Sequence, residues 1–294
     1  MDDDISFHHF SLTFNPKEVG TRLKEVRFLL VAGCAFRVEA QANYLADHLF
    51  NGILLSQRRV ERLTKPHSRF ALFKIGPVLL SNHGIGSASM SIAMHELFLM
   101  CRLAQSIEHL TVIRFGTCGG LGVEPGTVCI TNRALDPMFQ DYVELKICMK
   151  LVRRPCTIDL ATANLLAQLG KADPNHKQPG DYDIRMGATV ASNDFYEEQG
   201  RTIGAICEHS IEDKMQFLER ARQLGVINME MECNYLAAMC HKLNVPFGVV
   251  CVALTNRLVD DRIRLDHNDI SQCERRLFWI NLLFIKHKLQ PLVR

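Results

Sequence analysis

Short apolar runs alternate along most of the chain with segments whose apolar residues recur at helical spacing. The runs at residues 26–33, 110–116 and 246–256 are apolar at nearly every position. Strands without polar alternation are typical of a sheet covered on both faces. Residues 87–104 instead repeat their apolar positions about every 3.6 residues, as a helix does. The pattern predicts an α/β fold in three layers, with a central mixed sheet flanked by helices.

The same patterns predict the remaining elements. A turn at Gly76-Pro77 divides residues 70–84 into two strands, and Gly170 and Gly225 are placed to end helices. Further strands are predicted at 126–136, 186–194 and 226–230, and further helices at 158–170, 212–225, 231–243 and about 269–289. The least regular zones are 1–25, 137–157, 171–185 and 257–268. No linker divides the chain, so we expect a single domain over residues 1–294.

Composition narrows the classes of partner. The chain has 294 residues, 34 basic and 32 acidic, and no block of like charge, which disfavours nucleic-acid and membrane partners. Its 11 cysteines include no Cys-x-x-Cys pair, which indicates reduced, buried thiols in a cytoplasmic protein and disfavours zinc. The acidic, polar start is unlike a signal peptide, and no apolar run reaches the length of a membrane span.

The stretch 112–128 combines an arginine inside an apolar strand with a run of glycines. Arg114 needs an anion there, because burying an unpaired guanidinium is costly. Glycines allow backbone N–H groups to approach an oxyanion closely. With Thr117 nearby, the stretch indicates an anion site, most simply for phosphate, although a glycine-rich turn alone is equally often structural. The spacing matches neither the dinucleotide pattern nor the phosphate loop that ends in Gly-Lys-Ser/Thr.

A second strand end has the same composition. Gly33 follows the first long apolar run, and Arg37 comes four residues later, near the first turn of a helix whose dipole also favours anions. Such spacing is weak by itself, since surface arginines are usually solvated. Two strand-end arginines beside glycines are less accidental, because α/β folds bind ligands at the carboxyl ends of their strands.

Three segments in order, "RFGTCGGLGVEPGTV", "SNDFYEEQGR" and "INMEMECNYLAAMC", resemble the uridine phosphorylases, the pyrimidine branch of the nucleoside phosphorylase family. The resemblance is strongest over about residues 69–256. It implies a single α/β domain and reversible phosphorolysis, in which inorganic phosphate attacks the anomeric carbon of uridine to give uracil and ribose 1-phosphate. It implies no cofactor, because phosphate is a co-substrate.

The resemblance also implies a phosphate site shared between two subunits. Arg114, Thr117, Gly33 and Arg37 match the family's phosphate-binding residues. Arg69 matches an arginine that the family contributes from the neighbouring subunit. We therefore expect a homodimer, with residues 1–25 as an N-terminal arm in its interface.

The base and the sugar are assigned by the same resemblance. His8 matches a histidine lent across the dimer to the ribose 5′-hydroxyl, although His9 is adjacent and the match could shift by one. Phe195 matches the aromatic residue that packs on uracil, and Gln199 and Arg201 match the pair that reads its edge. A glutamine offers a donor and an acceptor and an arginine offers a fork of donors, which suits the O2, N3–H and O4 atoms of uracil.

Residues further along the chain complete the predicted site. Glu232 is expected to accept hydrogen bonds from ribose hydroxyls, Met231 to line the sugar, and Glu230 to bind or support the substrate. Arg257 is expected to brace the base-binding pair, and Ile263 to cover the base. Arg201, Glu232 and Arg114 are the predicted catalytic residues.

The chain departs from the family pattern at four positions. Cys34 and Ala35 replace a polar residue and a proline in the first phosphate loop, and Cys118 stands where serine is usual. We expect the changes at Cys34 and Ala35 to alter phosphate affinity without abolishing binding. We expect Cys118 to be a benign small residue rather than an oxidation-sensitive thiol beside the phosphate. Phe70 replaces a glutamate that binds a monovalent cation in bacterial members, so no metal is predicted.

Other functions stay open on the sequence alone. A purine nucleoside phosphorylase is disfavoured by Gln199 and Arg201, and by Asn256-Arg257 where purine-cleaving relatives place an aspartate. A nucleosidase using water would not need strand-end arginines. A nucleoside-binding paralogue without catalysis is the alternative from another class, and a dinucleotide-binding dehydrogenase is disfavoured by the missing glycine fingerprint.

Overall fold

A computed structural model describes residues 4–49, 59–173 and 182–290. The chain forms two compact units. The first consists of the residues up to Arg114 together with those from Asn281 onward, and the second is Phe115–Ile280.

The first unit is organised around a buried parallel strand. Its elements are β1 (Ile5–Phe7), β2 (Leu12–Phe14), α1 (Pro16–Leu23), β3 (Phe28–Ala32), α2 (Ala35–His48), β4 (Glu61–Arg62), β5 (Leu72–Ile75), β6 (Val78–Asn82), α3 (Gly86–Leu103) and the first part of β7 (Thr111–Gly120). β3 lies between β6 and β7 and is parallel to both. All five residues of β3 are buried, as expected for a strand covered on both faces.

The second unit contains the rest of β7 and a mixed set of strands. Its other elements are β8 (Val128–Leu135), β9 (Tyr142–Ile147), β10 (Lys150–Pro155), α4 (Leu160–Ala172), β11 (Ile184–Ala191), α5 (Ile211–Gln223), β12 (Val226–Glu230), α6 (Cys233–Leu243), β13 (Phe247–Asn256) and most of α7 (His267–Leu289). β11 is parallel to both of its neighbours, β8 and β12. β8 is antiparallel to β13, and β12 is antiparallel to the end of β7. The predicted α/β fold with a mixed sheet is confirmed.

The glycine-rich stretch is part of a strand and not the loop that the sequence predicts. β7 continues to Gly120, where Gly119 and Gly120 pair with β12. A Cβ on Gly120 would lie 2.8 Å from the carbonyl oxygen of Thr255, which is too close for any side chain. These two glycines are therefore required by packing. The turn begins after them, at Gly122 with φ +68°.

Gly170 does not end a helix, contrary to the prediction. α4 continues to Ala172, and Gly170 is buried within it. A Cβ there would lie 2.7 Å from Cδ1 of Ile184, so the glycine allows the helix to approach β11 closely. Gly225 behaves as predicted, with φ +80° immediately after α5.

Two zones predicted to be irregular contain regular elements in their described residues. Residues 4–25 contain the β1–β2 hairpin and α1, and residues 137–157 contain the β9–β10 hairpin, whereas residues 1–3 lie outside the described part of the chain. In the zone 171–185, residues 174–181 lie outside the described part of the chain. The single domain over residues 1–294 stays a prediction.

All 11 cysteines lie in the described ranges and are free, but Cys34, Cys148 and Cys207 are exposed, so the prediction that the thiols are buried was wrong for these three. No described helix is long and apolar enough to cross a membrane.

Candidate active site

A turn at the carboxyl end of β11 positions the predicted base-binding residues. Oδ2 of Asp194 accepts a hydrogen bond from the backbone N–H of Glu198. Oε2 of Glu198 in turn accepts from the N–H of Asn193 at 2.6 Å. Gly200 has φ +63°, a conformation that glycine adopts without strain. This turn places Gln199 and Arg201 on either side of Gly200.

Gln199 is buried and its amide group is fixed. Its Nε2 donates to Oγ of Ser192 at 2.9 Å and lies 3.5 Å from the carbonyl oxygen of Glu230. Because the amide nitrogen donates to the protein, the carbonyl oxygen Oε1 is the atom left for a ligand.

Arg201 is 95% buried, with its guanidinium carbon 4.1 Å from the centroid of the Phe195 ring. Phe195 itself is 42% exposed. Burial, together with the nearby charge of Arg257, lowers the pKa of Arg201 to about 10. Its Nε makes no hydrogen bond to any residue within the described ranges. A buried cation with an unused donor is suited to an anion or a polarised carbonyl group.

Arg257 is the largest fully buried side chain of the described residues and braces this cluster. Its Nη2 donates to the carbonyl oxygen of Gln199 at 2.7 Å. Gly119 makes room for it, because a Cβ there would lie 2.6 Å from Cδ of Arg257. Gly119 of β7 thus leaves the space that the Arg257 side chain occupies.

Asp261 and Lys214 belong to the same cluster, and neither was predicted from the sequence. Oδ1 of Asp261 accepts from Nε of Arg257 at 2.8 Å, and Oδ2 accepts from Nζ of Lys214 at 2.6 Å. Burial by itself raises the pKa of Asp261, but the hydrogen bonds and charges of Arg257 and Lys214 lower it below its ordinary value. The spacing of Arg257 and Asp261, four residues apart after a strand, was the available signal.

The two glutamates after β12 differ in their contacts. Oε1 of Glu230 accepts from the backbone N–H groups of Glu232 and Cys233 at 3.0 and 2.8 Å, so this carboxylate caps the start of α6. Glu232 is buried at the N-cap position of α6. Met231, between them, is partly exposed.

Three further positions of the second unit that the sequence singled out are Thr117, Ile263 and Cys118. Thr117 is partly exposed on β7, and Ile263 is about half exposed. Burial, then the neighbouring thiols of Cys129 and Cys251, raise the pKa of Cys118 well above its ordinary value. The Cys118 thiol is therefore protonated and unreactive.

The first unit brings three predicted phosphate-binding residues near the carboxyl end of β3, although Arg114 lies inside β7, which continues to Gly120, and not at a strand end as predicted. Arg114 is 97% buried on β7 and pairs in register with Val31 of β3. Gly33 follows the last residue of β3, and Arg37 lies in the first turn of α2. The carboxyl end of β3 and the N-terminus of α2 together favour the binding of an anion.

Two residues predicted to act across a dimer are exposed in the single chain. These are His8 and Arg69. His9, the alternative to His8, is held instead, because its Nδ1 lies 2.6 Å from Oε1 of Glu96 on α3. Of the two histidines, His8 thus has the more exposed side chain. No group of three metal-ligating side chains occurs among the described residues.

Comparisons with known proteins show which family this chain resembles. Residues 27–277 match the model of the phosphorylase superfamily. Human uridine phosphorylase 2 is 35% identical over 98% of this chain and 88% of its own length. The inactive uridine phosphorylase B of Schistosoma mansoni is 34% identical over 94% of this chain and 89% of its own.

Solved structures give the same family. The uridine phosphorylase of S. mansoni in complex with uracil superimposes with a TM-score of 0.86, at 33% identity, over 97% of this chain and 95% of that one. A family match across most of the chain, with relatives above 30% identity over nearly its full length, identifies the family. This chain belongs to the phosphorylase superfamily and, within it, to the uridine phosphorylases, a family of pentosyltransferases.

Proposed function

We propose that this chain catalyses the reversible phosphorolysis of uridine to uracil and ribose 1-phosphate. The observation that carries the proposal is the buried pair of Gln199 and Arg201, braced by Arg257, at one strand end. A relative of the same family has been solved with uracil. The pair supports uracil as the base because it offers one acceptor and a fork of donors side by side.

Arg201 does more than bind the base. When the glycosidic bond breaks, negative charge spreads onto the oxygens of uracil. Arg201 is a preorganised, buried cation with an unused donor on Nε, so it stabilises that charge more strongly in the transition state than in the ground state. The exposed part of the Phe195 ring is available to pack on the base.

The phosphate and the sugar are assigned by family resemblance and supported by placement. Gly33 follows β3, Arg114 pairs in register with Val31 near the end of β3, and Arg37 lies in the first turn of α2. Thr117 is partly exposed on β7. Arg69 and His8 are exposed, as residues lent to a partner must be, which supports a homodimer with shared sites.

Glu232 is the carboxylate proposed to accept hydrogen bonds from the ribose, with Met231 lining the sugar. Glu230 is proposed to support them, because its Oε1 is already occupied by the start of α6. Ile263 is exposed enough to cover the base. No cofactor is proposed beyond phosphate as co-substrate. The free cysteines support a reducing compartment such as the cytoplasm, where the reaction would serve pyrimidine nucleoside salvage.

A uridine cleavage assay on the purified protein tests the proposal. We expect uracil to be released only when phosphate is present, and ribose 1-phosphate to form in equal amount. Release without phosphate would indicate a nucleosidase, and preference for inosine or methylthioadenosine would indicate a purine-cleaving enzyme.

The inactive relative defines a second outcome to test, namely ligand binding without turnover. That protein is 34% identical to this chain, so family membership alone does not decide activity. Calorimetry with uracil and with ribose 1-phosphate separates the two cases. Binding of both ligands with no turnover would contradict the proposal and identify a nucleoside-binding paralogue.

A further inference from the structure

A single buried carboxylate is shared by three cations in the second unit. Among the described residues, Arg257 and Lys214 bind Asp261 directly, and Nη1 of Arg201 lies 3.8 Å from the same Oδ1. The exposed fraction of these four side chains ranges from 0% for Arg257 to 14% for Lys214.

The three cations are not held equally. The contacts of Arg257 and Lys214 are hydrogen bonds of 2.8 and 2.6 Å, whereas 3.8 Å is beyond hydrogen-bonding distance for Arg201. Each oxygen of Asp261 is thus occupied by another cation. Arg201 is kept beside the carboxylate by charge but does not spend a donor on it.

We propose that Asp261, fixed by Lys214, is a positioning residue that holds the Arg201 guanidinium in place for the departing base. The inference rests on the proposed function. Three cations around one carboxylate leave an excess of positive charge, which complements a leaving group that acquires one negative charge. Lys214 acts on the base only through Asp261.

Replacing the Asp261 carboxylate distinguishes the effect of the position of Arg201 from the effect of the cluster's net charge. Asp261→Asn makes the cluster more positive, so turnover would rise if charge alone mattered. We expect it to fall, because three buried cations without a counter-ion repel one another and Arg201 leaves its place.

Removing the lysine tests the same idea from the other side. In Lys214→Met, Oδ2 of Asp261 loses its partner and becomes available to Arg201. A direct ion pair would withdraw a donor and much of the charge of Arg201 from the base. Lys214→Arg keeps a cation within reach of Oδ2 and should restore turnover.

Asp260 provides a matched control. It is the adjacent aspartate and is also bound to an arginine, since its Oδ2 accepts from Nη2 of Arg264 at 2.7 Å. That pair lies at the surface, with the Arg264 side chain 78% exposed. Asp260→Asn should leave turnover near the wild-type value.

The experiment measures kcat for uridine and 5-fluorouridine, KM for phosphate and the thermal midpoint of each variant. For Asp261→Asn and Lys214→Met we expect kcat for uridine to fall about 10- to 100-fold, with KM for phosphate changed less than about twofold. The loss should be smaller for 5-fluorouridine, because fluorine makes the departing base more acidic and less dependent on Arg201. A merely structural role would lower the thermal midpoint and affect both nucleosides equally.

Each outcome decides the inference. A kcat for Asp261→Asn equal to or above the wild-type value overturns it, as does equal loss with both nucleosides. If Asp261→Asn does not fold, the comparison of Lys214→Met with Lys214→Arg decides, and failure of Lys214→Arg to recover turnover overturns the inference.

If the wild type binds uracil without cleaving uridine, the proposed function fails separately, and the inference is tested by calorimetry. Weaker uracil binding by Asp261→Asn then supports the inference, and unchanged binding overturns it. A wild type that neither cleaves uridine nor binds uracil overturns both the proposed function and the inference.

Discussion

The proposed base-binding cluster of the second unit and the proposed phosphate-binding positions of the first unit are built differently. The base cluster is held by side chains, with Arg257 donating to Gln199 and to Asp261. The proposed phosphate positions are set by backbone, since Gly33 follows β3, Arg114 pairs in register with Val31 near the end of β3, and Arg37 lies in the first turn of α2.

The two regions also differ in completeness. The cations of the base cluster have their counter-ion and brace within one chain, whereas Arg69 and His8 are exposed in that chain. On the proposed function, one chain would preform recognition of uracil, while a second copy would complete the phosphate and ribose contacts. Variants in each region should therefore have separable effects.

The largest effect is expected on the base side. Arg201→Ala removes the cation aimed at the charge that develops on uracil, and should lower kcat by about 10²- to 10³-fold. KM for phosphate should change little, because the proposed phosphate-binding residues are others, Gly33, Arg37 and Arg114. Steady-state kinetics with both substrates varied measures this, and undiminished uridine cleavage would show that the base site has been assigned wrongly.

A smaller effect of a different kind is expected on the phosphate side. Arg114→Ala removes a buried donor for the anion and should raise KM for phosphate by about 10- to 100-fold. Uracil affinity without phosphate, measured by calorimetry, should stay near the wild-type value. An unchanged phosphate requirement would exclude Arg114 from the anion site.

A glycine substitution tests the brace of the base cluster. Gly119→Ala places a Cβ 2.6 Å from Cδ of Arg257. We expect a loss of about 1–3 kcal/mol in the free energy of unfolding from overpacking, and about tenfold in kcat/KM for uridine. Gly20→Ala is the control, because nothing lies within 4 Å of a Cβ there and alanine favours the helix. Equal behaviour of the two variants in denaturation and kinetics would contradict the bracing role.

The smallest effect concerns acid stability. The pKa of Asp261 is lowered in the folded protein, so its ionised form stabilises the fold at pH values above its ordinary pKa of about 4. This contribution is lost as the pH falls through the lowered pKa. Denaturant unfolding at pH 7 and pH 3 should show less acid destabilisation in Asp261→Asn than in the wild type, and an identical pH dependence would count against the buried ion pair.

The sequence predicted elements whose signals are local. β3, β6 and β13 are apolar runs, and α3 has helical spacing, so their types followed from pattern alone. Gly225 follows α5 with a positive φ, as a helix stop should.

Elements that depend on distant neighbours were missed. Gly119 was predicted to lie in a loop and Gly170 to end a helix. Both are instead required by packing, since a Cβ on Gly119 would meet Arg257 and a Cβ on Gly170 would meet Ile184. The β9–β10 hairpin was missed because its turn residues, Cys148 and Met149, have positive φ without being glycine or asparagine. Lys214 lies 47 residues from Asp261, so no spacing rule connects the two.

The candidate site shows the same division. Gln199, Arg201 and Glu232 were assigned through contiguous motifs that resemble the family. Asp261 lies outside those motifs, and its role depends on cations from two other segments. Sequence patterns identify the groups that bear the chemistry, whereas the residues that position them emerge from tertiary contacts.

The most direct test of the account is a complementation experiment between two inactive variants. Arg201→Ala damages a site through its own chain, and Arg69→Ala damages the site of its partner. When the two variants are co-expressed with different tags, half of the dimers are mixed by chance, and each mixed dimer contains one intact site. We expect recovery of about one quarter of the wild-type activity per chain, and activity no greater than the sum of the two variants assayed alone would contradict the shared site.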